Sequence, residues 1–209
     1  MKKLKYLYSL IYLLILFAVT SCAPSITIKS RADNRVDMEF DIKAGQVLKS
    51  LLDMYGIPFN DEETLTRMKN GMKDNTFYNV KAKATGDDSF LLTGTVLPVA
   101  TQDVVLRKDN QLILNVSPET MIAFAQSLPE EFLVYMSMLA APVFTGEPMT
   151  QEEYLGLIAA LYGQPLADEI EQADIKITLE SPSGKKQTFN LPLVEFFTLT
   201  EEKTFSIRY

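Results

Sequence analysis

The stretch Arg35-Val36-Asp37-Met38-Glu39-Phe40-Asp41-Ile42 alternates apolar and charged side chains throughout its length. Successive side chains of a strand point to opposite faces, so Val36, Met38, Phe40 and Ile42 line one side and Asp37, Glu39 and Asp41 the other. This pattern predicts a sheet strand with one face buried and an acidic outer face. Directly after it, "AGQVLKSLLDMYG" (44–56) changes period. Val47, Leu48, Leu51, Leu52 and Tyr55 fall on one side of a helix, and Gly56 stands where a helix commonly ends, with Pro58 beyond. A strand pattern giving way to a helix pattern within a few residues sets the reading of the whole chain as α+β.

Upstream, "SITIKSR" (25–31) places Ile26 and Ile28 at strand spacing. Downstream, "NDEETLTRMKNG" (60–71) offers Asn60 or Asp61 as a helix cap, acids in the first turn and Gly71 as a stop. The segments "TFYNVKAKA" (76–84), "SFLLTGTVLPV" (89–99), "DVVLRK" (103–108) and "QLILNV" (111–116), spaced by turn residues, predict an antiparallel meander. Gly94 and Pro98 are candidates for a bulge or an edge. Helical signals then dominate. Ser117-Pro118 starts one helix. Ser127 with Glu130 fits a capping box, and so does Thr150 with Glu153. The helix at about 129–141 is apolar nearly all round, which predicts burial, and it is too short to span a bilayer. Tyr154, Leu157, Ile158 and Leu161 form a helical stripe closed by Gly163 and Pro165, and "PLADEIEQA" (165–173) adds a further short helix. The remainder reads as strands: "DIKITLE", the turn "SPSGKK", "QTFNL", "VEFFTLT" and "KTFSIRY". The expected architecture is antiparallel sheet segments with a central group of helices, about 118–173. Residues 22–209 are read as a single α+β domain, with two lobes split near 117 as the alternative.

The first 21 residues carry a different message. Lys2, Lys3 and Lys5 precede an apolar run that ends at Val19. A cationic start, an apolar core and small residues at the end have the form of a secretory signal. The sequence Val19-Thr20-Ser21-Cys22 resembles the lipobox of bacterial lipoproteins, and Cys22 is the only cysteine of the 209 residues. The resemblance implies diacylglyceryl transfer to the Cys22 thiol, cleavage before it, and acylation of the new amino group by a palmitate-like chain. Two or three chains anchor stably where one anchors marginally, at about 0.8 kcal/mol per buried methylene. In enterobacterial lipoproteins an aspartate after the cysteine retains the protein at the inner membrane. Ala23 stands there instead, so the resemblance implies the periplasmic face of the outer membrane in a cell that has one.

The full chain has 20 basic and 27 acidic residues, a formal charge of −7. Loss of residues 1–21 removes three lysines and no acid, leaving a body near −10. Nucleic acid is bound mainly through Lys and Arg, so an acidic body argues against it as a partner. Lys29, Arg31 and Arg35 follow the anchor closely. With Asp33 and Asp37 among them they predict a solvated edge, with headgroup contact as the alternative.

The chain contains no histidine. That excludes a Ser-His-Asp or Cys-His catalytic arrangement and leaves no Cys/His set for zinc. No GxGxxG, GxxxxGK[ST] or GxSxG is present. These features predict no catalytic residues, no cofactor and no metal. The carboxylate pairs Asp61-Glu62-Glu63, Asp87-Asp88, Glu130-Glu131, Glu152-Glu153 and Glu201-Glu202 suit hydrolysis of a glycosidic bond only if burial raises one of them. Three of these groups fall in predicted first helical turns and two at predicted hairpin turns, where local structure accounts for them. Ser183-Gly184-Lys185-Lys186 satisfies S-x-x-K literally, but a glycine turn keeps its lysines solvated. Met121, Phe124, Phe132, Tyr135, Met136, Met138 and Phe144 are enough for an apolar groove, and core packing predicts the same residues. The leading expectation is a non-enzymatic lipoprotein of the cell envelope that is anchored through Cys22 and binds a protein partner or an apolar ligand. The alternatives are a carboxylate-dependent hydrolase of envelope glycans and a carrier of small apolar molecules.

Overall fold

The computed structural model describes residues 24–54, 56, 61–74, 77–97, 104–126 and 130–209, of which 72–74, 124–125, 130–132 and 134–135 are described by their backbone alone. The predicted signal segment, Cys22, Ala23, Tyr55, Pro58, Asn60, Pro98 and Ser127 lie outside these residues.

The fold is α+β, with nine strands and eight helices among the described residues. In chain order they are β1 (Ser25–Ser30), β2 (Val36–Lys43), α1 (Gln46–Met54), α2 (Glu62–Asp74), β3 (Tyr78–Gly86), β4 (Ser89–Val96), β5 (Val105–Lys108), β6 (Gln111–Val116), α3 (Pro118–Gln126), α4 (Glu130–Leu139), α5 (Ala141–Thr145), α6 (Gln151–Tyr162), α7 (Gln164–Gln172), β7 (Asp174–Glu180), β8 (Lys186–Pro192), α8 (Leu193–Phe197) and β9 (Lys203–Arg208). Six strands form one sheet in the order β3-β4-β2-β1-β7-β8, and β5-β6-β9 form a second.

The opening stretch becomes β2, an inner strand of the large sheet. It pairs antiparallel with β1, Ile28 opposite Met38, and with β4, Phe40 opposite Leu92. Its even-numbered side chains face inward as their spacing predicts. Val36 and Met38 are buried under the small sheet with Ile28, Ile177 and Leu112, while Phe40 and Ile42 pack toward Leu52, Leu65 and Phe90 beneath α1 and α2. One face of one strand therefore serves two cores. A third core lies among the helices, around Tyr154, Ile158, Leu166 and Ile170, and receives Val194 and Phe197 from α8. Phe189 of β8 meets Phe205 of β9 with ring centroids 5.3 Å apart, which joins the edges of the two sheets.

Three local expectations are corrected. The β3–β4 and β5–β6 hairpins do not form one meander. β4 turns back onto β2, and β6 pairs with β9 in the other sheet. The sheets are also not wholly antiparallel: β1 and β7 pair parallel, Ile26 opposite Ile177. Parallel neighbours need a long crossover, and the helices between them supply it. Within "VEFFTLT", residues 193–197 are the helix α8, because a turn there sends both Val194 and Phe197 into the helical core and lets the Thr198 hydroxyl donate to the Val194 carbonyl at 2.9 Å. Two smaller differences concern glycine and proline. α2 continues through Gly71 to Asp74, and Pro165 opens α7 instead of only closing α6.

The hairpin turn at Asp109-Asn110 has both residues left-handed, at φ 52° and 58°. A two-residue loop with that geometry matches the twist of the flanking strands, and Asp and Asn tolerate it better than most residues. Gly45 precedes α1 at its cap position and has no side chain to cap it. Glu169 of α7 takes the role: its carboxylate accepts from the amides of Val47 at 3.0 Å and Leu48 at 3.2 Å. A Cβ on Gly45 would lie 2.1 Å from the Glu169 Cδ, so the absent side chain makes the room.

Candidate functional site

The acidic groups weighed for hydrolysis are spread over separate local structures. Asp61 caps α2, accepting from the Thr64 amide at 2.8 Å. Glu63 reaches toward Arg67 one helical turn on, at 4.0 Å. Thr150 and Glu153 complete the predicted capping box on α6, where the Glu153 amide donates to the Thr150 hydroxyl at 3.2 Å and the Thr150 amide donates to Glu153 at 2.9 Å. Asp87-Asp88 form the β3–β4 turn, and Glu201-Glu202 are exposed before β9. Glu130-Glu131 open α4, and their side chains lie outside the described residues. Among the described residues, wherever a shift of an acid is resolved it is downward. Hydrogen bonds from Thr64 lower Asp61, those from Thr150 lower Glu153, Ser117 lowers Glu119, and Arg35 lowers Asp33. A glycosidase acid needs the opposite displacement. Among the described residues no cluster of three or more Asp, Glu, Cys or His is placed to hold a metal ion.

The S-x-x-K turn is likewise committed to structure. Ser181 is buried, and its hydroxyl accepts from the Lys185 amide at 3.1 Å and shares a hydrogen bond with the Ser183 hydroxyl at 2.8 Å. The Lys185 ammonium donates to the Arg208 carbonyl at 2.8 Å, and Lys186 pairs with Glu180 at 3.2 Å. Both lysines are held away from the role of base to Ser183.

The outer face of the large sheet carries a row of charges in register. Asp37 stands opposite Lys29, Lys29 opposite Glu180, and Glu180 opposite Lys186 on four adjacent strands. Lys29 reaches Glu180 at 2.9 Å, and Asp37 accepts from the Thr95 hydroxyl at 2.9 Å and from Arg31 at 2.6 Å. Opposite charges directly across strands attract, whereas like charges there repel. The bond from Lys29, reinforced by Lys186, outweighs the desolvation of Glu180 and holds its carboxyl below the ordinary value.

Beyond this row the hairpin turns converge. Arg107, at the end of β5, donates through Nη1 to the Arg31 carbonyl and to Asn34 Oδ1, each at 2.9 Å, and through Nε to the Tyr209 hydroxyl at 3.2 Å. The Tyr209 amide donates to the Asn110 carbonyl at 3.0 Å. Arg35 pairs with Asp33 and lies beside Tyr78. The tip therefore gathers Arg31, Arg35, Arg107, Lys108, Lys185 and Arg208. Four of the chain's five arginines stand here, the fifth being Arg67 on α2. Lys29, Arg31 and Arg35 are carried away from the chain's start. At about 3.3 Å per residue, β1 separates Ser25 from Ser30 by roughly 16 Å.

Of the candidates for an apolar groove, Met121 is buried and Met136 and Phe144 are half-buried, packed with Leu139 and Val143 in the helical core. Phe124, Phe132 and Tyr135 are outside the described side chains. The α6 stripe divides. Tyr154 and Ile158 are buried, whereas Leu157 is 37% and Leu161 63% exposed, and Met138 of α4 is 45% exposed. Among the described residues no helix is long and apolar enough to cross a membrane.

Sequence reasoning missed the tip because its cations are scattered over positions 31 to 208 and meet only when three hairpins and the last strand align. The available signal was that Arg31, Arg35 and Arg107 sit in or close to turns, whereas Arg208 closes β9.

None of the family models, curated proteins or solved structures compared with this chain matches it.

Proposed function

We propose that this chain is a lipid-anchored protein of the cell envelope that acts by binding, with Cys22 as its lipidated residue and a protein partner or an apolar ligand as its target. The observation that carries the reading is where the fold begins. β1 starts at Ser25, only three residues after Cys22, and lies inside the large sheet between β2 and β7. Three residues span at most about 11 Å when extended. An acylated Cys22 therefore seats a folded domain against the bilayer without a linker. Binding is favoured over hydrolysis because the acids with resolved bonds serve in helix caps and in ion pairs or hydrogen bonds that hold the fold, and those that shift become more acidic. Leu157 and Leu161, one turn apart and exposed on α6, favour a partner with apolar side chains over an enclosed carrier site. With Ala23 after Cys22, the periplasmic face of an outer membrane is the favoured location.

Mass spectrometry of the native protein extracted from membranes tests this reading. The expected N-terminus is Cys22 carrying a diacylglyceryl group and a further acyl chain. Cys22→Ala is expected to lose lipidation, processing before residue 22 and membrane retention, while keeping the circular dichroism of the folded domain. An unmodified thiol, or a leader still attached to the native protein, overturns the anchor.

A further inference from the structure

We propose that the tip bearing Arg31, Arg35, Arg107, Lys108, Lys185 and Arg208 is a docking surface for an acidic segment of a protein partner. The proposal deepens the binding reading by naming the partner's chemistry, and it rests on that reading.

The first argument is charge. The chain carries −7 overall, yet this tip gathers six cations against the carboxylates of Asp33, Asp37 and Asp109, Arg35 pairing with Asp33 and Arg31 with Asp37, beside a row in which Lys29 and Lys186 flank Glu180. A cationic end on an acidic molecule steers an anionic partner to one orientation and repels it elsewhere.

The second argument is residue type. An unspecialised cationic surface in this chain would be built from lysine, which outnumbers arginine fifteen to five, yet four of the five arginines are here. The guanidinium fork matches a carboxylate through two parallel hydrogen bonds and is less strongly hydrated than an ammonium. Tyr209 accepts from Arg107, and Tyr78 lies beside Arg35. Arginine and tyrosine are the residues enriched at protein interfaces, where lysine is depleted.

The third argument is preorganisation. Arg107 is fixed by a carbonyl, an amide oxygen and a phenol, all neutral. Its position is set while its charge is left for a partner. The Asp33 and Asp109 carboxylates among the cations suit a peptide whose acids are spaced, and they disfavour a polyphosphate with a charge at every unit.

The test uses the full chain in detergent micelles and two pools of random 12-residue peptides. In one pool half the positions are Asp or Glu, and in the other these are replaced by Asn or Gln. The expected result is retention of the acidic pool over the neutral pool, falling steeply with salt. Arg35→Gln, Lys108→Gln and Arg208→Gln together should weaken it about tenfold or more. The same charge removed by Lys81→Gln, Lys83→Gln and Lys176→Gln, on the outer sheet face, should change it less than twofold. Circular dichroism of both triple variants confirms folding. No preference for the acidic pool overturns the proposal, and so does equal weakening by the two triple variants. Polyphosphate of matched charge that binds more tightly and with the same dependence on the tip overturns the assignment to protein. The underlying binding reading fails separately, if photo-crosslinking in intact cells captures no partner from any face of the domain.

Discussion

Replacing Gly45 by alanine should destabilise the protein, and removing the Glu169 carboxylate should reverse the sign of that effect. Gly45 precedes α1 and is buried, its backbone is outside the left-handed region, and the Lys49 amide donates to its carbonyl at 2.9 Å. Alanine therefore meets no backbone objection. It meets the Glu169 carboxyl group, with Cδ and Oε1 at 2.1 Å and Oε2 at 2.4 Å from the new Cβ. The carboxylate is the end of a flexible side chain and can swing away, but it then leaves the Val47 and Leu48 amides without their acceptor. Loss of an N-terminal cap costs about 0.5–2 kcal/mol, and Gly45→Ala should cost an amount in that range. Glu169→Ala should cost a similar amount, because the same two bonds disappear. In the Glu169→Ala background the space at Gly45 is vacant. Gly45→Ala there restricts the unfolded chain and should stabilise by about 0.4–1 kcal/mol. A double-mutant cycle by urea unfolding, followed by far-ultraviolet circular dichroism, measures the coupling directly. Its expected size is about 1–3 kcal/mol from the two ranges just given. Additive effects would show that Gly45 and Glu169 act independently, and the explanation of how α1 is capped would be wrong.

Three further outcomes follow from the same structure. The Glu180 carboxyl ordinarily titrates near 4.5 and is lowered by Lys29 and Lys186, so its contribution is present above that value and lost as pH falls through the lower folded one. Glu180→Gln should flatten the acid limb of a stability-against-pH curve, and an unchanged limb refutes this. The buried Tyr154 hydroxyl donates to the Leu139 carbonyl at 2.7 Å, so Tyr154→Phe should cost about 1–2 kcal/mol in urea unfolding, with no loss contradicting the bond. The Ser30 hydroxyl is buried with no partner among the described residues. Ser30→Ala should be neutral or stabilising by up to about 1 kcal/mol, and a clear drop in the unfolding midpoint would point to a partner for that hydroxyl.

The elements that local chemistry specifies were legible in the sequence. Period-2 alternation placed β2 and its buried face, Thr150 with Glu153 fixed the start of α6, and Asp109-Asn110 sits in a turn that those residues favour. What remained hidden was decided by partners distant in sequence. No pattern within residues 105–116 tells β5 and β6 to leave the large sheet, because the reason lies in β9, some ninety residues on. The parallel pairing of β1 with β7 is hidden for the same reason. The α6 stripe of Tyr154, Leu157, Ile158 and Leu161 was legible as helical spacing, but which of its members tertiary packing covers was not: only Tyr154 and Ile158 are buried. Asp61-Glu62-Glu63, Asp87-Asp88 and Glu152-Glu153 sit at helix starts and a hairpin turn as read, whereas Glu201-Glu202, read as a hairpin turn, lie in the connection from α8 to β9 because residues 193–197 are helical. The basic tip was invisible because it is a property of aligned turns and not of any segment.

The place of β1 links the two functional readings. If Cys22 is acylated, the end of the sheet held toward the bilayer is the one where β1 starts, β7 starts and β2 ends. The Lys176 amide donates to the Pro24 carbonyl at that end. Nearby stand Asp41, Asp87, Asp88 and Asp174, interleaved with Lys43, Lys83 and Lys176, so this end carries little net charge. The cationic tip is at the other end of the same strands. The tether then holds that end within three residues of the surface, and the tip points away from it. A strand in the middle of a sheet cannot pivot as a linker does, so the anchor fixes orientation as well as distance. On this account an inserted flexible linker after Cys22 leaves the tip's intrinsic affinity unchanged and removes only its presentation at a set height. Affinity in micelles and function in cells should therefore separate in such a variant, which a purely surface-tethered binder without orientation would not show.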